Sequence, residues 1–197
     1  MDPDRDLVGE LGRGAPGALA EAYRRHGARV YRVCLRLLGR APDAEDATQE
    51  VFLKLLEGAA PFAGRARFST WLYRVSVNHC LHRLEKERLR AGAGLDGEHE
   101  LADPTASPFE ELARGEARSG LEGLLARLTG EHRAVLVLRE IEELSYRDIA
   151  AVLELPVGTV MSRLARARGE LVRLAHAREP GHPRTTPAVS TGPAAAS

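Results

Sequence analysis

Apolar residues recur at three- and four-residue intervals along most of the chain. Period-two alternation bounded by turn residues is absent, so the expected fold is all-α. Leu19, Ala22, Tyr23, Val30, Val33, Cys34, Leu37 and Leu38 mark a first helix between residues 16 and 38, with an interruption expected near Gly27. Gly39 stops it. A second helix, Asp43 to Glu57, starts where Pro42 suits the first turn and Asp43 complements the positive helix end. One face carries Ala44, Ala47, Val51, Phe52, Leu55 and Leu56. The other carries Glu45, Asp46, Gln49 and Glu50, with Lys54 the only base.

A third helix follows a turn at Ala63-Gly64, with Ser69 or Thr70 as its expected cap and Phe68, Trp71, Leu72, Val75, Val77, Cys80, Leu81 and Leu84 as apolar positions. After it, residues 91–107 are rich in Gly, Pro and small residues and carry Asp96, Glu98, Glu100 and Asp103. So little apolar area reads as a flexible linker. Periodicity resumes near Pro108 with Leu121, Leu124, Leu125 and Leu128. A turn at Thr129-Gly130 leads to a helix from Glu131 to Glu142 with Ala134, Val135, Leu138 and Ile141 on one face. Ser145 then caps a short helix, with Asp148 in the capping-box position. Leu155-Pro156 breaks it, and Val157 to Ala175 form a longer helix with Val160, Met161, Leu164, Leu171 and Leu174 inward. The resulting division is 15–90 for one helical domain, 91–107 for the linker, 108–178 for a second helical domain, and 179–197 for a Pro/Ala/Thr/Ser tail without a core-forming pattern.

Charge changes this picture locally. The chain's 28 basic and 28 acidic residues cancel, so any attraction to a polyanion must come from segregation. Segregation is present. Between residues 61 and 90, Arg65, Arg67, Arg74, Arg83, Lys86, Arg88 and Arg90 face only Glu85 and Glu87, and Phe62, Phe68, Trp71 and Tyr73 sit among the first of them. Cations interleaved with aromatics suit a protein that grips a nucleic-acid backbone and stacks on unpaired bases. The same pattern fits an amphipathic helix with core aromatics and solvated arginines. The acidic helix face likewise admits two readings, internal charge balance or a docking face for a basic partner.

In the second domain, a short helix, a tight turn and a basic helix form a helix-turn-helix. Ala150 is small where the two helices approach, and Arg163, Arg166, Arg168, Arg173 and Arg178 oppose only Glu170. Gly158, Thr159, Ser162, Arg163 and Arg166 lie on the side away from Val160 and Leu164, which lets the start of that helix enter a major groove. The alternative is a helical hairpin packed for structural reasons.

Cys34 and Cys80 make neither a disulfide framework nor a metal set, and His79, Cys80 and His82 point in different directions on a helix. No metal, cofactor or catalytic residue is expected: there is no Gly-rich phosphate loop and no nucleophile with a base nearby. The acidic N-terminus is not a signal peptide, and no apolar run approaches a membrane span. The expected location is cytoplasmic, without membrane insertion.

Five segments, AEAYRRHGARVYRVCLRLLG, DAEDATQEVFLKL, FSTWLYRVSVNHCLH, HRAVLVLREIEELSYRDIAAVL and LPVGTVMSRLARAR, in this order, resemble bacterial RNA polymerase sigma factors of the sigma-70 family. The similarity is to the compact extracytoplasmic-function (ECF) group and extends from about Ala15 to Ala175. The resemblance implies two small helical domains, sigma regions 2 and 4, joined by a flexible linker, and a factor rather than an enzyme. It implies that Asp46, Gln49, Glu50, Phe52, Leu53 and Leu56 dock on core RNA polymerase. Residues Phe62, Arg65, Arg67, Phe68, Ser69, Trp71, Arg74, Asn78 and His79 would contact the −10 element of promoter DNA, and Gly158, Thr159, Ser162, Arg163 and Arg166 the −35 element. An anti-sigma factor is a possible further partner. Flipping a base costs a few kcal/mol, and stacking returns roughly 1–3 kcal/mol. Glu154 departs from the family, which commonly has Gly before the Leu-Pro of the turn, and the tail after Arg178 is longer than the minimal architecture. The competing reading is a helix-turn-helix regulator that binds duplex DNA without polymerase.

Overall fold

The computed structural model describes residues 3–58, 67–92 and 120–177, and every described regular element is helical. The expected contacts Phe62 and Arg65, the linker from residue 93 onward and the tail 179–197 lie outside the described residues. The helices are α1 (Arg5–Gly12), α2 (Ala18–Leu38), α3 (Ala41–Gly58), α4 (Phe68–Gly92), α5 (120–126), α6 (Gly130–Leu136), α7 (Tyr146–Leu153) and α8 (Val157–His176). The last residue of α6 leads directly into a π-helical turn, Val137–Ile141.

Three elements differ from expectation. Helix α1 has no counterpart in the sequence reading because it offers only Leu7 and Leu11, one turn apart, as a buried stripe. Helix α2 is continuous through Gly27, where no break occurs: Gly27 is buried, and a Cβ there would lie 3.3 Å from the Tyr23 ring. Helix α4 begins at Phe68, so Ser69 and Thr70 lie in its first turn rather than capping it, and it runs through residues 91–92, which the sequence reading placed in the linker.

The amino-terminal module is α2 and α3 in an antiparallel pair with α4 across both, and α1 packed against α2 and α3. Gly39 makes the sharp turn between α2 and α3: its φ is +80°, and its N–H bonds the Leu35 carbonyl at 2.8 Å. The core contains Val30, Val33, Cys34, Leu37, Ala44, Ala47, Val51, Leu55, Val77 and Cys80, all essentially inaccessible to solvent. Buried hydroxyls are satisfied within their own helices, Thr48 donating to the Ala44 carbonyl at 2.6 Å and Ser76 to that of Leu72 at 2.7 Å. Cys34 and Cys80 are free thiols filling space as small apolar groups.

The carboxyl-terminal module winds around α6. Thr129 caps it by accepting from the His132 N–H. The expected apolar face is too narrow a description, because Arg133, Ala134, Val135, Leu136, Val137 and Leu138 are all buried. A helix buried all round needs cover on every side. Helices α5, α7 and α8 supply part of it, and α2 and α4 of the other module supply the rest. The two modules therefore share one hydrophobic core, and Gly130 sits so close to α4 that a Cβ would meet Leu81 Cδ2 at 2.9 Å.

Candidate nucleic-acid and polymerase interfaces

The acidic side of α3 is open to solvent: Glu45, Asp46, Gln49, Glu50 and Leu53 are exposed, Leu53 by 54%. Phe52 is not part of this surface. It is 3% exposed and packs edge-on against Tyr23 at 5.0 Å, on the apolar side of α3 that also carries the buried Val51 and Leu55. Leu56 lies on α3, but its side chain is not among those described.

Helix α4 divides the expected −10 residues. Phe68 and Trp71 are core side chains, 2% and 8% exposed, stacked at 6.1 Å, with His26 edge-on to Phe68 at 5.3 Å. Neither ring presents a free face to a base in this structure. Arg67, Arg74 and Asn78, spaced seven and four residues apart, share one side of the helix, with Arg67 and Asn78 exposed and Arg74 half-buried. Ser69 points elsewhere, into a shallow cleft lined by His26, Arg29, Val30, Leu72 and Tyr73. His79 faces α3, where Lys54 Nζ donates to its Nδ1 at 3.2 Å and Glu50 Oε2 lies 3.4 Å from its Nε2. Burial, and then the Lys54 charge, hold the His79 imidazole below its ordinary pKa. His79 thus ties the acidic helix to the basic one.

The helix-turn-helix is formed by α7 and α8. Ser145 caps α7 by accepting from the Asp148 N–H at 3.1 Å, while its hydroxyl donates to Asp148 Oδ2 at 2.6 Å. The turn departs from glycine without changing shape: Glu154 has φ +54° and ψ +43°, the left-handed conformation that glycine adopts freely. Its carboxylate reaches Arg74 of α4, accepting from Nη1 at 3.1 Å. The acid in the turn is thus directed toward the other module.

On α8, Gly158, Ser162 and Arg166 are exposed and Thr159 is half-buried. Ser162 donates to the Thr159 carbonyl and Arg166 Nε to the Ser162 carbonyl, so these side chains form one patch. Arg163 lies at its edge, paired with Glu131 at 3.0 Å. Met161 does not point inward. It is 53% exposed, because it stands 100° around the helix from Val160, at the margin of the buried stripe.

Residues 22–90 match the family Sigma-70 region 2, and residues 119–171 match Sigma-70, region 4. The chain is 32% identical over 177 residues to RNA polymerase sigma-H factor of Pseudomonas aeruginosa, covering 85% of this chain and 91% of that one. It is 34% identical over 171 residues to ECF RNA polymerase sigma factor SigM of Mycobacterium tuberculosis, covering 87% and 84%. The chain belongs to the sigma-70 family. Among solved structures, CnrH in complex with the cytosolic domain of CnrY is similar at 28% identity, with a TM-score of 0.65 over 90% of this chain and all of that one. The sigma factor RpoE of Bartonella quintana, solved with the anti-sigma factor NepR, shares the fold at 20% identity and a TM-score of 0.64. Region 2 accordingly comprises α2 to α4, and region 4 comprises α5 to α8. Among the described residues of this sigma factor, no helix is long and apolar enough to cross a membrane.

Sequence reasoning missed the residues between the regions. The side chain of Glu142 is 3% exposed and accepts from Tyr73 Oη at 2.5 Å and from Arg32 Nε at 3.1 Å, with Arg29 Nε at 3.8 Å. Burial, then the hydrogen bond to Glu142, push the Tyr73 phenol upward. No local pattern could have paired residues this far apart in sequence.

Proposed function

We propose that this sigma factor binds core RNA polymerase through the acidic face of α3 and directs it to promoters, with α4 on the −10 element and the start of α8 on the −35 element. The observation that carries this reading is that one chain joins an open acidic helix face to a helix-turn-helix whose second helix presents Gly158, Thr159, Ser162 and Arg166 as one polar patch. Asp46, Gln49, Glu50 and Leu53 are the docking residues in this reading. Arg67, Arg74 and Asn78 hold the −10 strand through its phosphates, which act at range and fix position. With Phe68 and Trp71 in the core, base capture falls to the segment before α4, where Phe62 and Arg65 stand in sequence. The protein itself makes and breaks no bonds; its contribution is binding energy spent on an opened strand. A protein partner that restrains it is part of the proposal, since the similar CnrH was solved bound to another polypeptide.

Run-off transcription with purified core polymerase tests the reading directly. Addition of the protein is expected to start transcripts at discrete sites, and Asp46→Arg is expected to abolish core binding in a pull-down while leaving the fold intact. Unchanged core binding by Asp46→Arg would remove α3 from the docking surface. DNA binding with no response to core polymerase would favour the polymerase-independent regulator.

A further inference from the structure

Two apolar side chains stand in water at the start of α8: Val157, 39% exposed, and Met161, 53% exposed. They are four residues apart, so they lie one above the other on a single flank of the helix. A solvent-facing helix flank ordinarily carries polar groups. The buried stripe of α8 consists of Val160, Leu164 and Ala167, without either of them. Opposite that stripe lie Gly158, Ser162, Ala165 and Gly169, all exposed and all small. A Cβ added at Gly158 or Gly169 would meet nothing within 4 Å, so packing within the chain does not call for glycine at either place.

A narrow outer edge lets the helix sit deep in a major groove, where its two flanks meet the base edges on either side. Each residue turns the helix by about 100°, which sets Thr159 and Arg166 on one flank and Val157 and Met161 on the other. Arg168, further along the apolar flank, is held by Glu140 at 2.5 Å. One flank therefore offers hydrogen bonds, and the first two turns of the other offer hydrocarbon and sulfur.

We propose that Met161, seated beside Val157, is a specificity-determining residue that reads the 5-methyl group of a thymine in the −35 element. The inference rests on the assignment of α8 to that element, and it names a base and an atom that the polar patch does not select. Thymine is the one base that presents an apolar group in the major groove; cytosine presents an amino donor there, and the purines present polar edges. A thioether chain offers those edges at most a weak acceptor, so covering them leaves polar groups unpaired. Met161 thus favours thymine by contact and disfavours the other bases by desolvation. Its unbranched chain adapts to the methyl group, while the stiff Val157 supports it from the preceding turn.

The test uses holoenzyme reconstituted from the full-length protein and core polymerase. Promoter fragments with a randomised −35 element are selected for binding. Each thymine of the selected element, on either strand, is then replaced singly by deoxyuridine, which lacks only the methyl group. At one thymine the replacement is expected to weaken binding about three- to fourfold, the value of one buried methyl group. Holoenzyme carrying Met161→Ala or Met161→Gln should bind the two fragments equally, and Met161→Leu should keep the discrimination. Met161 is exposed and all three replacements favour a helix, so the fold is kept. A clear −35 preference with deoxyuridine tolerated at every thymine overturns the inference and leaves the assignment of α8 standing. Discrimination that survives in both Met161→Ala and Met161→Gln also overturns it. So does lost transcription by Met161→Ala where the unaltered protein treats thymine and deoxyuridine alike, because the flank is then a protein contact. A selection that returns no preferred −35 sequence brings down the assignment of α8 together with the inference.

Discussion

The guanidinium of Arg133 in α6 donates to the main-chain carbonyl of Leu37 in the last turn of α2, so a side chain of region 4 completes a helix end of region 2. The same group bonds the carbonyls of Ala126 at 2.7 Å and Leu128 at 3.3 Å. Arg133 is 6% exposed, and its burial lowers the guanidinium pKa. The three carbonyls offset part of that desolvation. Helix carbonyls at a C-terminus lack internal partners and carry partial negative charge, so a buried cation there satisfies both needs.

Arg133→Ala is expected to destabilise the protein by about 3 kcal/mol, because bonds to a charged donor are lost and buried carbonyls are left unpaired. Arg133→Lys should recover little, since one ammonium cannot span carbonyls from two modules. Urea unfolding followed by circular dichroism measures both. A loss below about 1 kcal/mol for the alanine variant would mean water replaces the guanidinium at little penalty.

Two glutamates end helices in the left-handed conformation, Glu143 and Glu154, each with φ +54°. Glycine adopts that region without the Cβ clash. Glu143→Gly should therefore raise stability by about 0.5–1 kcal/mol, after allowance for the greater freedom of glycine in the unfolded chain. Glu154→Gly should gain less, because it gives up the Arg74 ion pair, an accessible contact worth roughly 0–1 kcal/mol. Thermal melts of the two variants side by side check the ordering.

His79 supplies a pH dependence. Its folded pKa lies below the ordinary histidine value, so the neutral ring is the form the fold prefers. The sign follows: its contribution is complete above about pH 6.5 and is lost as pH falls through the lower folded value. Lys54→Met should move the midpoint upward, because it removes a neighbouring cation while Glu50 stays. Imidazole chemical shifts followed by NMR across the acid range give both midpoints; a downward movement would contradict the geometry.

Arg163 must leave Glu131 before it can reach a base edge. Arg163→Ala should weaken holoenzyme binding to a cognate −35 element by roughly 1–3 kcal/mol and relax selectivity there. Glu131→Gln should act in the opposite direction, freeing the guanidinium. Competition binding with single-base variants of the element separates a lost base contact from a general loss of charge.

How much of this was legible beforehand depended on whether the signal was local. Ser145 and Asp148, three residues apart, announced the cap of α7, and the Leu155-Pro156 break announced the start of α8. Gly27 misled because glycine usually interrupts a helix, whereas here its missing side chain admits the Tyr23 ring. Trp71 and Phe68 fitted two readings, apolar helix positions or a stacking surface among arginines, and it is the packing of α2 against α4 that makes them interior in this structure. Glu154 was recognised as a departure, but its partner Arg74 lies 80 positions away. Pairings of that kind depend on how the helices assemble, which no window of sequence contains.

The all-round burial of residues 133–138 bears on how the polypeptide can be divided. A protease nick between α4 and α5 should leave two fragments that remain associated and co-elute, since their shared interior does not depend on the peptide bond between them. Either fragment prepared alone would carry a raw leucine- and valine-rich flank, the kind of surface that drives precipitation. Mixing the two from denaturant should restore solubility at one-to-one stoichiometry, as each fragment acts as folding template for the other.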